Sequence, residues 1–132
     1  MTRRRYAREV TLQMLYQKDL NPDLDLETIR QMFNDKIHNQ SLRTFAWSLF
    51  VGVIDRQSEL DAQIESIAEN WTLSRMAPTD RNVLRLSAFE LLYSETPYQV
   101  VINEAVDLAR HYGTAQSPQF VNGILDRLIP NK

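Results

Sequence analysis

Apolar residues recur along this chain at intervals of three and four, the spacing that gathers side chains on one face of an α-helix. In the first segment Ala7, Val10, Thr11, Met14 and Leu15 make one stripe, which Asn21-Pro22 ends. A short second helix is marked by Leu26, Ile29, Phe33 and Ile37. The clearest stripe is Leu42, Phe45, Ala46, Leu49, Phe50 and Val53, with Ser41 placed as its N-cap, where a hydroxyl oxygen accepts from an orphan amide. The stripe resumes at Leu60, Ile64, Ile67, Ala68 and Trp71, which predicts one long helix kinked near Gly52 rather than two.

Residues 71–78 read as a connector, after which Thr79 caps a helix running to about Glu95. That helix is apolar on two sides, with Val83, Leu84, Ala88, Leu91 and Leu92 on one and Leu86, Phe89 and Tyr93 on the other, as suits a central element. Pro97 separates it from a helix through Ile102, Ala105, Val106, Ala109 and Tyr112, closed by Gly113 at the C-cap. Ser117-Pro118 opens the last helix, which buries Val121, Ile124, Leu125 and Leu128 and stops at Pro130. No β-type alternation of any length appears. The expectation is an all-α fold of about six to seven helices, in one domain over residues 1–132.

Composition changes this picture mainly by exclusion. With 43% hydrophobic and 24% charged residues, the chain is of globular rather than disordered type. Its apolar runs fall far short of the roughly 20 residues that cross a bilayer, and no signal-peptide core follows the basic start, so a cytoplasmic protein is expected. No cysteine is present, which removes disulfide and thiolate chemistry. Three scattered glycines form no phosphate-binding loop. His38 and His111 lie in different segments without ligand neighbours, so neither a metal nor a cofactor is expected. No nucleophile stands with a base and an orienting acid, hence no catalytic residue is proposed. The acids Asp55, Glu59, Asp61, Glu65 and Glu69 mostly oppose the apolar stripe and read as a solvated face.

What remains is binding. Residues 1–8 carry Arg3, Arg4, Arg5 and Arg8 and no acid; setting those four aside leaves 11 bases against 17 acids, or −6 for the remainder. Charge alone leaves two readings open, an anion-binding end or a solvated basic tail. The residue type favours phosphate, since a guanidinium stays charged and offers forked donors. In a helix starting near Arg3, Arg4 and Arg8 share a face with Arg5 beside them. Tyr6 and Tyr16 offer rings for stacking on unpaired bases, though core packing is the better account of Tyr16. Four phosphate contacts on a single strand would give a log-log salt slope of about −3.

The ordered segments resemble one family. Arg3-Arg4-Arg5-Tyr6-Ala7-Arg8-Glu9 with Leu12-Gln13-Met14-Leu15-Tyr16 is similar to the opening of NusB proteins. Trp71, Arg75, Asp80-Arg81-Asn82-Val83-Leu84-Arg85-Leu86 and Phe89-Glu90-Leu91 resemble that family's central helix. Pro97, Val100 and the run from Ile102 to Arg110 resemble its most recognisable stretch, and Phe120-Val121-Asn122-Gly123-Ile124-Leu125-Asp126 its closing motif. The resemblance implies two small helical subdomains and a role in transcription antitermination on ribosomal RNA transcripts. The implied partners are single-stranded boxA-like RNA and NusE, a small-subunit ribosomal protein, with other antitermination factors and RNA polymerase engaged indirectly. By the same resemblance, Arg3, Arg4, Arg5, Arg8, Gln116, Phe120 and Asn122 are the RNA-facing candidates, and Asp80 and Arg85 the NusE-facing ones. Gln116 stands where some relatives carry an acid. Members of the family differ between monomer and homodimer.

Asn122-Gly123 also has a reading of its own. A glycine inside a helix is unfavourable by about 1 kcal/mol relative to alanine, which suggests either close packing or a contact surface. Packing is the expectation for Gly123, and Asn122 suits either role. Two rivals stand beside antitermination: the RNA-binding part of a ribosomal RNA cytosine methyltransferase, which would need a nucleotide-binding domain after Lys132, and a structural helical adaptor.

Overall fold

The computed structural model describes residues 3–129, and among them are seven α-helices, one 3-10 turn and no strand. Helix α1 spans Arg3–Leu20, α2 Leu26–Lys36, α3 Gln40–Asp55, α4 Gln57–Ile67, α5 Pro78–Tyr93, α6 Tyr98–Tyr112 and α7 Ser117–Leu128, with the 3-10 turn Leu73–Arg75 between α4 and α5. The all-α expectation therefore holds. Pro130, expected as the final stop, lies outside the described residues. No described helix is long and apolar enough to cross a membrane.

Most of the predicted stripe residues are buried because each stripe meets another helix, whereas Leu26, Trp71 and Tyr93 are exposed. Helix α1 buries Ala7, Val10, Thr11, Met14 and Leu15 against α3 and α5. Thr11 secures that contact, its hydroxyl donating to the Ala7 carbonyl at 2.9 Å and lying 3.2 Å from that of Ala46. Helix α5 occupies the centre, packed against α1, α3, α4, α6 and α7, and its apolar circumference is buried accordingly. Under α2 and α3, Phe33 and Phe50 are fully buried with ring centroids 5.6 Å apart.

Several local expectations are corrected. The long helix is two helices, broken at Arg56 (φ −116°, ψ 16°), whose amide turns back to the Gly52 and Val53 carbonyls. The stripe continues in phase through the break, so the pattern conceals it. Gly52 is not a kink but a close approach: a Cβ there would lie 2.2 Å from Cζ of Phe89 on α5. Asn39, not Ser41, caps α3, accepting from the Leu42 amide at 3.0 Å. Helix α5 starts at Pro78 rather than behind a Thr79 cap, and Ala77 provides no side-chain cap. Ser117 faces backwards; its buried hydroxyl accepts from the Thr114 amide at 2.9 Å and so closes the turn between α6 and α7. Gly113 makes room for it, since a Cβ there would fall 2.4 Å from that oxygen. Tyr16, expected in the core, is 37% exposed.

Candidate nucleic-acid interface

The chain has twelve arginines, and the packing of helices sorts them into two kinds. Seven reach a carboxylate: Arg5, Arg8, Arg56, Arg81, Arg85, Arg110 and Arg127. The other five, Arg3, Arg4, Arg30, Arg43 and Arg75, have no carboxylate within ion-pair distance among the described residues. A guanidinium already held by an acid offers little net positive potential to a phosphate. The uncompensated five are the ones equipped for it.

The start of α1 shows the division within one turn. Arg3 and Arg4 are exposed, and the Arg4 guanidinium lies 4.0 Å from the centroid of the Phe45 ring on α3. That contact lays the side chain across the Phe45 ring while Arg4 stays exposed. Arg5 turns to α6, donating to both Glu104 oxygens at 3.2 and 3.0 Å and to Asp107. The hydrogen bond with Glu104 dominates the environment that raises its pKa above the ordinary value, so it is fixed as a cation. Arg8 is buried, 4% exposed, with Nε and Nη2 each donating to Glu90 of α5 at 2.8 Å. Burial works against its charge, but the bonds and charge of Glu90 outweigh it and its pKa is raised. Arg8 was expected to share an RNA-facing surface with Arg4, but it points into the interior and joins α1 to α5. Tyr6, 40% exposed, donates its hydroxyl to the Lys36 carbonyl at 2.9 Å.

The remaining candidates fall into two grooves. One, of about 670 Å³, lies between α6 and α7 and brings Arg5, Asn103, Arg110 and Asn122 together. The second, of about 330 Å³, collects Trp71, Arg75, Asp80, Gln116 and Phe120. Here the Phe120 ring is half-buried and meets the exposed Trp71 edge-on, centroids 6.4 Å apart. Sequence reasoning placed Asp80 on the partner side and Gln116 and Phe120 on the RNA side, and the structure puts all three in one groove. Asp80 is half-buried at the start of α5, and its Oδ1 is buried there with no hydrogen-bond partner among the described residues.

Arg85 is not on this surface. It is 5% exposed, donates to both oxygens of Asp61 at 2.8 and 3.0 Å and lies 3.3 Å from Asp19. Asp61, read as part of a solvated face, is thus a structural acid. Burial pushes the Asp19 carboxyl up, but hydrogen bonds from Arg81 and Asn82 and the Arg85 charge hold it below the ordinary carboxylate value. Gly123 also departs from expectation: a Cβ there would meet nothing within 4 Å, so packing does not explain it. Phe45, Trp71 and Arg75 were not singled out as candidates, because their places beside Arg4, Gln116 and Phe120 come from the packing of other helices. His38 and His111 are exposed, and no group of three metal-ligating side chains occurs among the described residues.

A model of the NusB family matches residues 5–130. The chain belongs to the NusB family. Among its relatives, the transcription antitermination protein NusB of Helicobacter hepaticus is 42% identical over 129 residues, covering 97% of this chain and 82% of the relative. The protein of the same name from Desulfotalea psychrophila is 41% identical, covering 96% of this chain and 94% of its own. A solved structure of T. maritima NusB superposes with a TM-score of 0.89 at 34% identity, over 98% of this chain and 92% of that one. A chain from the crystal structure of antitermination factors NusB and NusE in complex with dsRNA matches at a TM-score of 0.85 and 29% identity, over 97% of both chains. In this NusB-family protein, α1 and α7 carry the RNA-facing candidates and α5 presents Asp80 beside them.

Proposed function

We propose that this NusB-family protein is a transcription antitermination factor, binding boxA-type RNA of ribosomal RNA transcripts together with NusE. It acts as a single RNA-binding domain in the cytoplasm, without catalysis of its own. The observation that carries this reading is the set of uncompensated arginines at the surface, Arg3 and Arg4 on α1 and Arg75 beside the Trp71 and Phe120 rings. Phosphate charge and base stacking are the two means by which single-stranded RNA is held. The names of the relatives, and the NusB–NusE–RNA complex whose NusB chain shares this fold, support the same assignment.

With Arg8 buried and Arg5 held by acids, the phosphate contacts at the start of α1 reduce to Arg3 and Arg4. Replacing both with alanine is expected to make the log-log salt dependence of RNA binding shallower by about 1.4, at roughly 0.7 per contact. Thermal stability should barely change, since an exposed cation–π contact contributes only about 0.5–1 kcal/mol. A filter-binding series over several salt concentrations reads the slope, and an unchanged slope removes these arginines from the interface.

NusE enters because one groove holds both partner-facing and RNA-facing groups. A basic partner donating to Asp80 would neutralise an acid beside Gln116 and Phe120, lowering repulsion toward RNA. The expected coupling is on the order of 1–3 kcal/mol, or roughly 5- to 150-fold tighter RNA binding with NusE present. Asp80→Lys should diminish that factor. Equal RNA affinity with and without saturating NusE, in one buffer, defeats the proposal.

A further inference from the structure

Two of the five uncompensated arginines lie away from both grooves, on the outer face of α2 and α3. Arg30 of α2 is exposed, and its guanidinium is 5.3 Å from the centroid of the Trp47 ring on α3. Arg43 stands on the same side of α3, one turn before Trp47, with Nη1 donating to the Ile37 carbonyl at 2.9 Å. The two arginines and Trp47 line a depression of about 280 Å³, together with Asn34, Gln40 and Thr44. Trp47 is held rigidly: Phe50 stacks on it at 5.5 Å and 22°, and Phe33 meets it edge-on at 5.5 Å. Part of Trp47 nonetheless remains accessible.

No acid among the described residues compensates the charge of this face. Glu27 and Asp35, the acids of α2, come within ion-pair distance of neither arginine. A fixed aromatic ring, two guanidiniums free of acids and a rim of amides and a hydroxyl are the makings of a single-strand site: phosphate charge, a stacking platform and adaptable hydrogen bonds. The face is also joined to the start of α1 by direct contacts. Tyr6 bonds the Lys36 carbonyl, Lys36 adjoins Ile37, and Ile37 receives Arg43. The exposed Lys36 adds a further cation to the stretch between Tyr6 and Arg43.

We propose that the α2–α3 face is a second contact site for single-stranded RNA, in which Arg30 and Arg43 hold phosphates and Trp47 receives an unpaired base. The proposal rests on the protein being RNA-binding and extends the bound length beyond the boxA-type element. It is tested with that element as a bare RNA, and with the same RNA extended at each end by about 12 nucleotides, a length within the range one such site covers. The variant is Arg30→Glu, because Arg30 is exposed and makes no hydrogen bond or ion pair among the described residues, its one contact being the Trp47 ring. Wild type should bind the extended RNA on the order of tenfold more tightly than the bare one, with a salt slope steeper by at least about 0.7. Arg30→Glu should erase that gain and leave binding of the bare RNA unaltered. Crosslinks from 4-thiouridine placed in the extension should map to residues 30–47. If bare RNA binds but extension adds nothing, or if the gain survives in Arg30→Glu, the second site is refuted while antitermination stands. If neither RNA binds, both readings fall.

Discussion

Arg8→Ala is expected to remove about 3–5 kcal/mol of folding stability, because it leaves Glu90 as an uncompensated charge in the interior. Both side chains are almost wholly enclosed, at 5% and 2% exposure, and they exchange two parallel hydrogen bonds of 2.8 Å. For a chain of this size the loss corresponds to roughly 10–20 °C in melting temperature. The paired replacement Arg8→Met with Glu90→Leu should recover most of the loss, since apolar side chains of similar volume often match or exceed a buried ion pair. Urea unfolding of the three proteins measures the effect; wild-type stability in Arg8→Ala would show that the pair contributes nothing. The double variant also separates two roles that the sequence merges. If it folds and binds RNA with unaltered affinity, Arg8 serves the fold alone. If it folds and binds weakly, the guanidinium is exposed to RNA in the complex.

Arg85→Ala should be nearly as damaging, at about 3 kcal/mol, for a related reason. Arg85 joins α5 to Asp61 on α4 and to Asp19 on α1, and it also donates to Asn82 Oδ1 at 3.2 Å. Removing it leaves Asp19 with Arg81 at 2.6 Å and Asn82 at 2.9 Å, so the site is weakened rather than emptied. The same cluster sets an acid limit. Asp19 has a folded pKa held below its ordinary value near 4. A group depressed in this way stabilises the fold fully above the unfolded pKa, and that contribution fades as pH falls through the folded one. Wild type should therefore lose stability progressively below about pH 4, and Arg85→Ala should lose less over the same range and level off at a higher pH, because Asp19 has lost one of the charges depressing it. Unfolding curves collected from pH 7 to pH 3 decide the matter. An acid profile for Arg85→Ala parallel to that of wild type would exclude Arg85 as a determinant of the Asp19 carboxyl. An undiminished stability at neutral pH would show that the bonds of Arg85 contribute nothing net to the fold.

The helices were legible in the sequence because their signal is local. A stripe such as Ala7, Val10, Thr11, Met14 and Leu15 specifies a helix and its buried face within five turns of chain. The centrality of α5 was legible too, since only an element surrounded by others has apolar residues on most of its circumference. The arginine-rich start and the ordered motifs of the NusB family were equally plain. Tertiary structure decided the rest. The stripe from Val53 to Leu60 stays in phase across Arg56, so only the packing of α4 against α5 and α7 reveals the break. Gly52 has the close approach that was expected of Gly123, and Gly123 has open space instead, because the space around a missing Cβ belongs to a neighbouring helix and not to the glycine. The arginines show the same limit most clearly. Arg3, Arg4, Arg5 and Arg8 are one residue type within two turns, yet Arg5 meets Glu104 across 99 residues and Arg8 meets Glu90 across 82. Sequence gives the sign of each charge; whether it faces an acid or solvent depends on distances of a few ångströms set by how the helices pack.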